Sequence, residues 1–173
     1  MRDDAGVDII AETYTVHVAE EREQLDAFLT TYRRALNESL DGLTEDEARA
    51  QLVPSKTTLL GLVKHAAYVE QVWFVETLTG TPRADLGLPP TVDDSYDLDP
   101  EDTIAGIQAR HREVADASAR AVAGMPLETV LTGHPRIAEV TLRWVLLHVV
   151  RELAQHVGHA EILREQVLAA RSG

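Results

Sequence analysis

The chain has 173 residues, 45% of them hydrophobic and 26% charged, which is enough apolar material for one sizeable core and so for one domain. A formal net charge of -13 disfavours nucleic acid and anionic membrane surfaces, since both reward clustered Lys and Arg. Cysteine is absent, so disulfides and a protein thiolate are excluded; a metal site must use His, Asp and Glu, and thiol chemistry needs a thiol from outside.

The opening MRDDAGVDII puts acidic residues where a secretory signal carries positive charge. Apolar runs along the chain are broken well before the roughly 18 residues a membrane span needs. A cytoplasmic protein without a membrane partner is expected. Residues 1–15 lack sustained periodicity and read as a tail, with residues 16–173 forming a single helical domain. From about Val18 to Leu40, Leu25, Phe28, Leu29, Tyr32, Leu36 and Leu40 recur at helical spacing, and Asp41-Gly42 ends that helix. Thr44 with Glu47 three residues on is a capping box for a short turn before Pro54.

The second long helix is expected from about Thr58 to Leu78, capped by Ser55 or Thr57 and ended by Gly80-Thr81-Pro82. Proline and glycine make residues 80–100 a long crossover. Asp99 as N-cap and Pro100 at the first helical position should open the third helix, running to about Val122. A second connection, roughly 126–140, leads into the longest helix, about Thr141 to Ala169. The stretches Thr129–Leu131 and Ile137–Val140 are extended in pattern but too isolated to make a sheet. The expected fold is an all-α four-helix bundle with long crossover connections.

In the last helix, HVVRELAQHVGH spaces His148, Glu152, His156 and His159 so that, at about 100° per residue, they fall near 0°, 40°, 80° and 20°. One face therefore carries four ionisable groups toward the bundle interior, where each needs a partner. Glu152 and His156, one turn apart, are placed to grip one cation, and a third ligand should come from a facing helix. His65, among Leu62, Val69, Val72 and Trp73 on the second helix, supplies it. His159 reads as an outer partner that holds a ligand or bound water, ahead of a fourth ligand, and as a candidate proton relay; His148 reads as a packed or hydrogen-bonded residue. Glu76 reads as a helix-end charge, and His17, His111 and His134 as solvated. Tyr68, Trp73, Phe74 and Trp144 read as core, and Asp93, Asp94, Asp97 and Asp99 as a solvated turn.

Two segments, TTLLGLVKHAAYVEQVWF and TLRWVLLHVVRELAQHVGHAEILREQ, carry a family likeness. Over about residues 20–170 the chain resembles the DinB-like four-helix bundle superfamily, within it the branch similar to mycothiol-dependent maleylpyruvate isomerase. Glu152 stands where many members carry the first of two histidines. The resemblance implies His65, Glu152 and His156 as ligands of a divalent metal, zinc foremost, in agreement with the spacing. It further implies a thiol S-transferase or isomerase-like enzyme that joins a low-molecular-weight thiol such as mycothiol to an electrophilic small molecule, and a homodimer. The isomerase's additional C-terminal domain has no counterpart here, so maleylpyruvate is not the expected substrate. The rival readings are a non-enzymatic bundle whose metal is structural or regulatory, and a metal-free histidine network in the core.

Overall fold

The computed structural model describes residues 8–171, so the first half of the expected tail lies outside the described residues. Where that tail meets the domain, α1 (Ile9–Tyr14) forms one and a half turns, too short to show periodicity in sequence. It starts with the Asp8 carboxylate accepting from Ala11 N and lies on α2 (Glu21–Glu38), where Glu12 meets Thr31 and Arg34. The inner stripe of α2 is Leu25, Leu29 and Leu36, all buried. Leu40 follows at 0% exposure, and Gly42 then turns the chain with φ +71°. The Thr44–Glu47 capping box opens α3 (Glu45–Ala48) as its spacing predicts.

The central helix α4 (Leu59–Gln71) buries nearly every side chain, because α2, α6 and α7 and the crossover all pack on it. Its cap is Thr58, whose Oγ1 accepts from Gly61 N, and not Ser55 or Thr57, whose hydroxyls bond each other. The helix continues as a π-turn over Val72–Glu76 and a last turn, α5 (Thr77–Thr79), ended by Gly80 with φ +71°. The next long helix, α6 (Ile104–Ala121), begins four residues later than Asp99-Pro100 suggests. The carboxylates of Asp99 and Asp102 are drawn to Lys64 on α4, and Thr103, extended and accepting from Gly106 N, takes the capping role.

After α6, Val130–Leu131 (β1) and Val140–Thr141 (β2) pair antiparallel, so the two extended stretches form a short ladder although their pattern reads as too isolated for one. The pairing runs on into α7 (Leu142–Ala170): Leu142 N donates to Thr129 O, Arg143 N to Leu127 O and Trp144 N to Thr141 Oγ1. Three N–H groups that open a helix without partners are satisfied in this way, and this explains why the short ladder forms here. Gly133 in the same connection presses on the end of α5. A Cβ there would lie 2.6 Å from both Gly80 N and Thr77 O, so the approach requires glycine.

Four long helices, α2, α4 with its extension, α6 and α7, thus form an all-α bundle around one apolar cluster. Among the polar groups buried with that core are Glu70 and His111. Arg33 meets Glu70, which is fully buried, through two hydrogen bonds of 2.7 and 2.9 Å. His111 is 1% exposed and not solvated as its polar helix implied: α6 turns it toward α2, where Asn37 Nδ2 donates to its Nδ1 at 3.0 Å. Burial first, then the charges of Arg33 and Arg112, lower its pKa from 6.5 to about 4. The unfolded chain therefore takes up this proton near 6.5 and the folded chain only near 4. Stability should fall as pH drops between those values, by on the order of 3 kcal/mol, and this contribution levels off below the lower one. Urea midpoints at pH 7 and pH 4.5 check it: the wild type should lose more stability than His111→Gln, and equal losses would mean that His111 is not the group responsible.

Candidate metal centre

Between α4 and α7 the bundle brings His65, Glu152 and His156 together. One ligand atom of each lies within 4.8 Å of the others, and among the described residues this is the only such cluster of three. A cation held at about 2.1 Å separates tetrahedral ligand atoms by roughly 3.4 Å, so the cluster is slightly wider than a closed site. His156 Nε2 lies 3.4 Å from Glu152 Oε2, and the rings of His65 and His156 meet edge to face at 4.8 Å. Helix geometry explains the α7 pair, since residues one turn apart project from one face.

The protonation states suit a cation. Burial, reinforced by the neighbouring His156 ring and opposed by Glu152, lowers the His65 pKa from 6.5 to about 3, so the ring is neutral at pH 7. The facing His156 ring, with help from Arg151 and His148 and against burial, lowers that of Glu152 to about 2, so the carboxylate is charged. The 3.4 Å contact does not meet the geometry of a hydrogen bond, and both ring nitrogens of His156 are buried without a partner. An imidazole left unpartnered in a bundle interior is costly. A divalent ion with neutral imidazoles and a carboxylate around it fits these residues.

The walls of the site come from several elements. The crossover forms a turn at Asp94–Tyr96 that lays the Tyr96 ring on His65 at 4.1 Å and 11° and puts Ser95 Oγ 2.7 Å from His65 Nδ1. Nothing in the sequence flagged either residue, because about thirty positions separate them from His65 and the second half of these is proline-broken crossover. Beyond Glu152, His148 Nε2 lies 3.5 Å from Oε1, and the His148 ring stacks on Trp144 at 4.8 Å and also meets Trp73. The π-turn carries Trp73, which also meets Trp144 and stacks on His134 at 4.8 Å. His134 is thus buried and not solvated, held there by the glycine contact beside it.

Trp144, expected in the core, is 43% exposed because its stacking partner lies on the rim of α7. Tyr68, Trp73 and Phe74 are buried as their pattern predicts. Glu76 is buried too, paired to Arg83 of the crossover, and so is not a free helix-end charge. The Asp93 and Asp97 carboxylates bind Lys56, and His17 is exposed. His159 is exposed, with its ring 6.0 Å from that of His156. A cavity of about 350 Å³ lies across the crossover, lined by Lys64, Tyr68, Leu88, Ser95 and Ile107, but none of the three clustered residues lines it.

Among the described residues no helix is long and apolar enough to cross a membrane. No curated protein matches the chain. A family model described as Mycothiol-S-transferase matches residues 24–169, a span that runs from α2 to the end of α7 and includes His65, Glu152 and His156. The chain belongs to the mycothiol-S-transferase family.

Proposed function

We propose that the protein is a metal-dependent thiol S-transferase that joins a low-molecular-weight thiol, mycothiol in the first instance, to an electrophilic small molecule. The observation that carries this reading is the cluster itself: two buried imidazoles and one carboxylate from facing helices, three ligands and not four, in a chain with no cysteine of its own. Zinc bound by three protein ligands keeps a position open and lowers the pKa of a thiol or water held there.

The chain's own residues divide the remaining work. His65 offers a neutral nitrogen and His156 two ring nitrogens without partners, and the negative charge of Glu152 would offset part of a cation's charge. Tyr96 covers the His65 ring, and Trp73 packs on His148 beside Glu152. The incoming thiol loses its S–H proton, and its sulfur forms a bond to the electrophilic carbon. The displaced electron pair leaves with a leaving group or takes up a proton at the neighbouring atom. His159, on the solvent side, is proposed as the base that accepts the thiol proton. This reading places the bundle in the wider DinB-like superfamily beside the maleylpyruvate isomerase branch, and places the protein in the cytoplasm.

The test is conjugation of mycothiol to a panel of electrophiles, with zinc-loaded and chelator-treated protein side by side. A zinc-dependent rate on at least one electrophile is expected. Equal rates in the two samples across the whole panel would leave the bundle as a non-enzymatic metal binder.

A further inference from the structure

The hydroxyl of Ser95 has a single proton to give. Its Oγ lies 2.5 Å from Val92 O, a carbonyl that can only accept, so the proton points there. The same Oγ lies 2.7 Å from His65 Nδ1 and must accept from it. His65 therefore carries its proton on Nδ1, and Nε2 is left as a bare lone pair. Tyr96 stacked on the ring keeps it from turning over.

The turn bearing Ser95 is itself clamped to α4. Lys64 Nζ spends all three of its protons on Asp97 O, Asp99 Oδ2 and Asp102 Oδ2, at 2.7 to 2.9 Å. Lys56 holds Asp93 and Asp97, and Gly61 lets the turn approach, since a Cβ there would lie 3.1 Å from Tyr96 O. Ser95 is 1% exposed, so in the folded protein its hydroxyl and not bulk water meets Nδ1.

We propose that Ser95 is a positioning residue: through its hydrogen bond from Nδ1 it fixes the tautomer and orientation of His65, and so sets the affinity of the α4–α7 site for a divalent cation. The inference rests on the proposed metal centre. A partner on the far nitrogen of a ligating histidine orients the ring and raises its basicity, and losing one costs about 10- to 100-fold in metal affinity.

Two measurements test it. Nitrogen-15 NMR of the metal-free wild type at pH 7 should show His65 protonated at Nδ1 and bare at Nε2; a proton on Nε2 overturns the proposal outright. Zinc affinity, measured by chelator competition, should weaken about 10- to 100-fold in Ser95→Ala with an unchanged far-ultraviolet spectrum, and Ser95→Thr should recover most of it. Wild-type affinity in Ser95→Ala also overturns it. Should the wild type bind no zinc yet show the expected tautomer, the metal reading fails while the orienting role of Ser95 stands.

Discussion

His156→Leu should bind zinc more than about 100-fold more weakly than the wild type, beyond the range that losing an outer-shell partner costs, and its transfer rate should fall to that of chelator-treated protein. Its stability without metal should move the other way. Both nitrogens of this buried imidazole lack partners in the folded protein, so an apolar side chain of similar size removes a desolvation cost and should leave the metal-free melting temperature equal or higher. Glu152→Ala should lose zinc to a similar degree and should also lower metal-free stability at pH 7, since its surroundings hold the carboxyl pKa well below the usual value and so favour the folded state while it is charged. Isothermal titration with zinc and calorimetric melts of the metal-free variants give both readings at once. A His156→Leu protein that melts well below the wild type without metal would point to a packing role.

Glu70→Ala should cost about 3–5 kcal/mol, the range for removing one partner of a buried ion pair. The fully buried carboxylate takes two hydrogen bonds from Arg33, which is itself nearly buried and lies 5.8 Å over the Phe74 ring. Without Glu70 that guanidinium must stay unpaired or break its packing to reach water. Replacing both partners, Arg33→Met with Glu70→Leu, should restore most of the loss, because the pair's attraction is largely offset by what both charges gave up on leaving water. Urea unfolding of the two variants against wild type measures each figure; a single variant within about 1 kcal/mol of wild type would show the pair to be solvated in solution.

Much of this protein is written in helical period. The stripe of Leu25, Leu29 and Leu36, the buried run of α4, and the spacing of Glu152 and His156 on one face follow from about 100° per residue and the need to bury apolar side chains. The box at Thr44–Glu47 is legible for the same reason: donor and acceptor lie within one turn of each other. Other features depend on groups distant in sequence. Asp99 looks like a cap until Lys64 takes its carboxylate, and the role passes to Thr103. His111 and His134 look solvated until α2 and Trp73 cover them. His159 shares the stripe of His156 by angle, yet stands in solvent. Local periodicity determined which side chains face inward and that a carboxylate and two imidazoles could meet. Only the tertiary structure decided what lies behind each of them, Ser95 above all, because a hydrogen bond between residues thirty positions apart, across the end of a helix and half the crossover, depends on where the chain returns and leaves no period in the sequence.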